Sequence, residues 1–553
     1  MAKRKQGAAK RAPGMANHIT TARSVTLSTE QHIIAHWLRQ NGWRMLVVFL
    51  LVAGSRTPNL AAAGLNYDEP TYLYWGQVIG ADWEQRYIGA GWGGKQPLHT
   101  WAVALAEKTI HNPVVAGRTV SVLSGAVCAA LLWACVEKLA SERAAWFAAL
   151  FYLVCPYTVS FDRVAMIDSF LSALAIGTLG GSLMVANGLY ITGAAVLAVC
   201  FGGATLTKSI GWGFALLVPF AVLANPVPLG DLGKRRFRKH LHRIIGSAVA
   251  GVLLGMLIYH IIFGSSPAAE LIKQFEAQYG KYTLSLNDLL GLPMGTWFAN
   301  LTKVTGWLVE LVTPPVLAVI AAGLITLPRA HWRTGVLAAW GLFPTIGQIL
   351  IANRFYSRYI LFSIPPLLML AAIALDQGLD YITTRPLGHK RRPGAVNLHI
   401  AGAVVVAGLL VWPVLVTADK LFGKETARNT GYYALYDAAE HISAEASRSP
   451  QTIIVAYSPA PVEDGMAVLL HSTPGVRVLR VAPLQGLLTV FNPQDGVAVP
   501  SSSLDPAGTR FAALKGAEQT SWLAGKIMPV RSFPGSEGKE VVLYQISFDE
   551  SFR

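Results

Sequence analysis

An adjacent acid pair, Asp68 and Glu69, stands in the stretch Asn66-Tyr67-Asp68-Glu69-Pro70, and an isolated Lys95 ends a glycine-rich piece that runs on into Gln96, Pro97 and Leu98. A carboxylate held in one place can take a proton from an attacking hydroxyl. A compact ammonium at headgroup depth can clamp a phosphate. Plainer readings stand beside both. An acid just before a proline at the first helical turn caps the helix and faces its dipole, and a lone lysine near a membrane surface snorkels. Capping and chemistry are compatible for the acids, because a carboxylate fixed at a helix start is also a rigidly placed base.

Further along, Phe161, Asp162 and Arg163 precede Asp168. Five residues from Arg163 to Asp168 do not stack on one helix face as three or four would, so a simple intrahelical ion pair is not expected. Asp168 then falls about one turn inside an apolar run, where an unpartnered carboxylate is expensive and is a site candidate by default. Lys208 in TLTKSIGW is a second charge of this kind. Arg354 and Arg358, in NRFYSRY, are interleaved with Phe355, Tyr356 and Tyr359, a pattern that also serves interfacial anchoring. Acids, lysines and arginines that project from distant loops to one membrane face suit an anionic lipid held by cations while a carboxylate removes a proton.

These groups need elements to carry them. Of the 553 residues, 53% are hydrophobic and 14% charged, and the mean hydropathy is +0.42, which excludes an ordinary soluble globule as well as collagen, coiled-coil and disordered classes. Apolar runs occur near 43–57, 113–136, 144–160, 164–186, 188–206, 209–224, 244–263, 308–326, 334–352, 359–376 and 398–417. They predict an α-helical polytopic membrane protein with about eleven transmembrane helices. The four cysteines, Cys128, Cys135, Cys155 and Cys200, lie inside apolar runs without metal or redox spacing and read as core residues.

Residues 1–44 hold eight Lys or Arg against the single acid Glu30, with no cleavable leader, so residues 1–42 read as a cytoplasmic basic arm. The formal charge of +15 is then an orientation signal and calls for no nucleic-acid partner. Residues 43–418 form the multi-span membrane domain of a cell-membrane protein, with long outer loops at 58–112 and 264–307. Residues 419–553 lie outside as an extracytoplasmic α/β domain, with helical stretches at 431–446, 461–471 and 511–526 and β-rich runs from 452, 476 and 540.

NYDEPTYLYWGQ, KQPLHTW, AGRTVSVLSG, RVAMIDSFLSALA and LTKSIGW occur in that order, and with them the chain resembles the GT-C glycosyltransferases that use polyprenyl-phosphate sugars, particularly the aminoarabinose-transferase and protein O-mannosyltransferase group. The resemblance covers residues 66–225 well, the later spans loosely through NRFYSRYILFSIPP, and the tail not at all. The family more often shows KPPL where this chain has KQPL. The resemblance implies that Asp68 is the base or acceptor-orienting carboxylate, that Glu69 supports it, and that Asp168 is a second acid facing the same cavity. Lys95 would contact the lipid phosphate, with Arg163, Lys208, Arg354 and Arg358 as further donor-phosphate partners and Arg118 as a phosphate or structural partner; Tyr67, beside the acid pair, is a structural candidate.

The reaction implied is transfer of a glycosyl group from a polyprenyl-phosphate donor to the hydroxyl of a lipid, glycan or protein acceptor, by single displacement with inversion. The scheme requires no cofactor and no metal, although oxygen-rich carboxylate sites also suit a divalent cation. The alternative is a secondary transporter or lipid flippase, a class marked by internal repeats and ionisable residues at the midplane. No repeat is visible, and the charged groups cluster toward one face.

Overall fold

The computed structural model describes residues 27–66, 68–224, 235–279, 282–330, 334–384, 395–422, 434–447, 452–457, 461–474, 476–484, 487–492, 497–499, 509–514, 527–534 and 541–546. Helix α1 (Leu27–Arg56) starts well before the apolar run at 43, so part of the expected arm is helical. Its buried Glu30 explains the extension: the carboxylate accepts the backbone N–H groups of Ile191 and Thr192 at 3.2 and 2.9 Å, at the exposed-donor end of a later helix.

The first outer loop is not loose. It carries α2 (Glu69–Ala81), α3 (Ile88–Gly93) and α4 (Leu98–Glu107). There follow α5 (Pro113–Leu139), α6 (Glu142–Val154), α7 (Pro156–Asp162), α8 (Ile167–Ala186) and α9 (Tyr190–Thr205). The run at 144–160 is a bent pair, α6 and α7 meeting at 60° where Cys155 is extended and Pro156 opens the next helix. The run at 209–224, expected as a span, is two 3-10 stretches, Ser209–Leu216 and Val218–Ala224. The chain folds back tightly there: a Cβ on Gly211 would come within 2.5 Å of the Ala204 backbone.

Beyond lie α10 (Arg235–Tyr259), then α11 (Pro267–Tyr279) and α12 (Leu286–Leu290) in the second outer segment, then α13 (Met294–Leu311), α14 (Pro314–Ala330), α15 (Gly335–Ile351), α16 (Ile364–Thr384) and α17 (Ala395–Phe422). The run expected as one span at 308–326 is broken between α13 and α14 by a turn of 115°, with Thr313 at φ 76° and Pro314 restarting the helix. Among the described residues five helical stretches are long and apolar enough to cross a membrane, or seven if each bent pair counts as one, and α9 and α15 are shorter apolar helices. The protein is thus a multi-pass membrane protein. The crossing stretches of α5 and α8 and the stretch Ser357–Tyr381 are mostly buried and form the centre, whereas those of α10 and α17 are largely exposed, as a lipid-facing rim requires.

After residue 433 come α18 (Ala434–Ala446), β1 (Thr452–Tyr457), α19 (Pro461–Leu469), β2 (Val476–Leu484), β3 (Leu487–Asn492), β4 (Val497–Val499), β5 (Thr509–Leu514), β6 (Ile527–Phe533) and β7 (Val541–Ile546). They form a seven-stranded sheet in the order β4-β3-β2-β1-β5-β7-β6, with β1 parallel to β2 and β5 and the other pairs antiparallel. The helix expected at 511–526 is corrected in its first part: TRFAAL is β5, because pairing on both edges overrides the helical propensity of its alanines and leucine. Residues 515–526 lie outside the described ones.

Candidate active site

The two members of the acid pair part at the start of α2. The Glu69 carboxylate is fully buried. Its Oε1 accepts Arg118 Nε–H at 2.7 Å and the Ala165 N–H at 2.8 Å, and its Oε2 accepts Arg118 Nη2–H at 2.8 Å and the Asn66 N–H at 2.9 Å. Arg118 turns its remaining donors to the carbonyls of Leu60, Ala63 and Gly64 at 2.7, 3.0 and 3.1 Å. Both groups are saturated, so this pair ties the chain leaving α1 to the starts of α2 and α5. Gly117 permits the approach: a Cβ there would stand 2.2 Å from Leu73 Cδ2.

With that turn anchored, the Asp68 side chain makes no cap bond to the helix it precedes. Its Oδ2 instead accepts a hydrogen bond from Arg358 Nη2, in the 3-10 stretch Ser357–Ser363 that leads into α16. Arg358 Nε lies 4.0 Å from Asp168 Oδ2, and Asp168 Oδ1 accepts from Lys208 Nζ at 2.8 Å. Asp168 sits in the first turn of α8, where the helix dipole favours its charge. The Lys208 ammonium stands 4.5 Å from the Tyr359 ring centre, and Arg358 covers Tyr356 and Tyr359 at 5.0 and 5.3 Å. Two carboxylates and two cations from four distant segments therefore alternate in one cluster.

Lys95 completes it. Gly94 ends α3 at φ 61°, and a Cβ on it would lie 2.4 Å from the Phe275 ring of α11, so only glycine lets the chain turn here. The loop is then stitched to the segment of Lys208: Gln96 Nε2 donates to Ser209 Oγ at 2.7 Å, and the Leu98 N–H donates to the Leu206 carbonyl at 3.0 Å. The departure from KPPL thus has a local use, since proline offers no side-chain donor for Ser209. Burial, then the nearby Lys208 charge, hold the Lys95 ammonium down to about 8, against the pull of Asp68 and Asp168. Among the described residues that ammonium makes no ion pair and no hydrogen bond.

Other candidates lie elsewhere. The Arg163 guanidinium donates to the Pro58 carbonyl at 2.5 Å and neighbours Arg56 and Arg118, away from the cluster. Arg354 is exposed, 5.7 Å from the Tyr282 ring centre. Tyr67 lies outside the described residues. Two neighbours escaped the sequence reading. Tyr72, one turn after Asp68, is buried among Asp68, Arg358 and Asp168, and burial followed by the Asp68 charge raises its phenol well above the ordinary range. His99 is fully buried, T-stacked on Tyr72 and Phe170 at 5.5 and 5.9 Å, and its two ring nitrogens have no hydrogen-bond partner among the described residues. Burial lowers its imidazole to about 4, so it stays neutral. The only signal for either was spacing, one turn from Asp68 and four residues from Lys95.

Chemically, the cluster sets two carboxylates against three cations. It holds one surplus positive charge, on Lys95, and fits a singly charged anion. Among the described residues no three His, Cys, Asp or Glu side chains gather to hold a metal ion, and both cluster carboxylates already face a cation.

Residues 94–259 match the family of dolichyl-phosphate-mannose-protein mannosyltransferases, a stretch that includes Lys95, Arg118, Asp168 and Lys208. No curated protein sequence matches the chain. Among solved structures, the chain is similar to ArnT from Cupriavidus metallidurans bound to undecaprenyl phosphate, with a TM-score of 0.58 and 16% identity over 93% of this chain and 98% of that one. The same protein in the apo state gives a TM-score of 0.59 at 16% identity and the same coverage. The likeness runs along nearly the whole of both chains, and the fold is the GT-C fold.

Proposed function

We propose that this GT-C-fold chain is a membrane glycosyltransferase. It moves a sugar from a polyprenyl-phosphate donor to an acceptor hydroxyl at the outer face of the membrane, with inversion. The observation that carries the reading is the charge count of the cluster: a polyprenyl-phosphate sugar is a phosphodiester with one negative charge, which the surplus cation at Lys95 balances. The relatives support it, one named for dolichyl-phosphate-mannose and one bound to undecaprenyl phosphate.

The acceptor oxygen attacks the anomeric carbon from the side opposite the phosphate. The carbon–oxygen bond to the phosphate breaks, and the acceptor proton passes to the Asp68 carboxylate. Lys95, Lys208 and Arg358 stabilise the charge that grows on the departing phosphate, so no acid is needed at that oxygen. Asp168 holds Lys208 and Arg358 in place, and Glu69 with Arg118 fixes the turn that carries Asp68. The eleven apolar runs all cross or enter the membrane, the N-terminus is cytoplasmic, and the cluster and the C-terminal sheet are outside. The reaction uses these side chains alone, without a metal or cofactor. A transporter reading would place the ionisable groups at mid-bilayer; here they gather at the starts of α2 and α8 and in the short loops beside them.

The donor sugar is identified by mass spectrometry of polyprenyl lipids that copurify with the protein, and transfer is then assayed in nanodiscs. Asp68→Asn is expected to lower transfer about 10²–10⁴-fold, while binding of undecaprenyl phosphate is not weakened. Transfer at the wild-type rate would remove Asp68 as the base.

A further inference from the structure

Asp464 belongs to α19, 393 residues along the chain from Thr71, yet its Oδ2 accepts a hydrogen bond from Thr71 Oγ1 at 2.6 Å. The aspartate is 4% exposed. Around it, Leu65, Tyr72, Leu73 and Tyr74 of the first outer loop share one hydrophobic cluster with Leu435 and Met466 of α18 and α19 and with Val541 of β7. A Cβ on Gly465 would stand 2.8 Å from Leu435 Cδ1, so α19 lies close on α18 and cannot shift alone. Helices α18 and α19, strand β7 of the sheet and the helix that follows Asp68 therefore pack as one body.

A carboxylate is a poor choice for packing in such a place. Its burial is costly where that of an apolar side chain is not, and here one of its oxygens is turned onto the Thr71 hydroxyl. Thr71 stands three residues past Asp68, about one helical turn. Glu69 and Arg118 clamp the same turn from the α5 side, and Asp464 clamps it from the sheet side. Asp68 itself has no cap bond, so the placement of its carboxylate is inherited from this doubly held turn and from Arg358.

We propose that Asp464 is a positioning residue: through Thr71 it sets the height and rotation of the first turn of α2, and so aims Asp68 at the acceptor hydroxyl. The C-terminal sheet is then part of the reacting unit rather than an accessory. This rests on the reading of Asp68 as the base, and reacting groups misplaced by about 1 Å lose about 10²-fold in rate.

The test uses the full chain in nanodiscs, with hydrogen exchange at residues 66–76, steady-state transfer, and the folded fraction by size exclusion. Asp464→Ala and Thr71→Val are expected to raise exchange in the first turn of α2 and to lower kcat per folded molecule at least about tenfold, with donor KM within about twofold. The double variant is expected to lose no more than either single one. Asp464→Asn and Thr71→Ser, which keep an acceptor and a hydroxyl, are expected to restore both readouts. Exchange or turnover at the wild-type level in Asp464→Ala overturns the proposal, as does an equal loss in Asp464→Asn. Asp68→Asn run in parallel separates the two ideas: if it is inactive while Asp464→Ala is normal, this inference alone fails, and if it is active the base assignment fails first.

Discussion

Glu69 uses both carboxylate oxygens on four N–H donors, while Asp68 faces a single guanidinium and remains about one-third exposed. That contrast separates a group that holds a backbone from a group that can still accept a proton. It was not legible in the sequence, where the two stand side by side and either can cap. Lys95, without an ion pair among the described residues, was legible as a cation, but its surroundings were not, and they yield a testable pH dependence. Its ammonium is held down to about 8 by burial and Lys208, below its unfolded value, so the folded protein carries the surplus charge below that pH and loses it above. Folding stability shifts the other way: the unfolded chain binds the extra proton between about 8 and 10.4, so the penalty of burying Lys95 is full below that window and fades as pH rises through it. Affinity for undecaprenyl phosphate, measured by titration in nanodiscs, is expected to fall several-fold from pH 7 to about 9.5, and Lys95→Arg is expected to flatten the curve.

At the scale of elements, the first outer loop shows how chain stiffness becomes site geometry. Helix α3 ends on a left-handed glycine wedged against Phe275 of α11, and the next residue is Lys95. Gly94→Ala adds a Cβ where there is no room and imposes about 1–2 kcal/mol of backbone strain. The expected result is a weaker grip on undecaprenyl phosphate, with Kd raised about tenfold or more, because the lysine moves while the rest of the bundle stays folded. Adding Phe275→Ala is expected to recover part of the loss by removing the clash but not the strain. The apolar runs located most elements, yet not their breaks. A hydropathy run cannot show that Thr313 turns left-handed or that Ser209–Leu216 winds as a 3-10 stretch, because those outcomes depend on what the backbone meets on the other side. Strand β5 was misread for the same reason.

At the scale of the whole molecule, the site lies on the face that also carries α11, since Gly94 meets Phe275 there. Lys273 of α11 and Lys239 of α10 are both exposed, and the topology proposed above puts them on opposite sides of the membrane. In intact cells, with Cys200 replaced by serine, a membrane-impermeant maleimide is expected to label Lys273→Cys at once and Lys239→Cys only after permeabilisation. The reverse pattern would turn the site to the cytosol and remove the proposed donor. Composition and hydropathy alone determined that the chain is a multi-pass membrane protein, because the cost of leaving apolar surface in water or charge in lipid is written residue by residue. Residue types and their placement in the sequence also singled out Asp68, Glu69, Lys95, Arg163, Asp168, Lys208, Arg354 and Arg358 as candidates, since ionisable side chains in or beside apolar runs are conspicuous. Only the tertiary structure decided which of them meet. It paired Asp68 with Arg358 and Asp168 with Lys208, assigned Glu69 to Arg118, sent Arg163 to a carbonyl and Arg354 to the exposed surface, and brought Asp464 onto Thr71. Ion pairs and hydrogen bonds act over a few ångströms through space, and separation along the chain carries no record of that distance until the helices have packed.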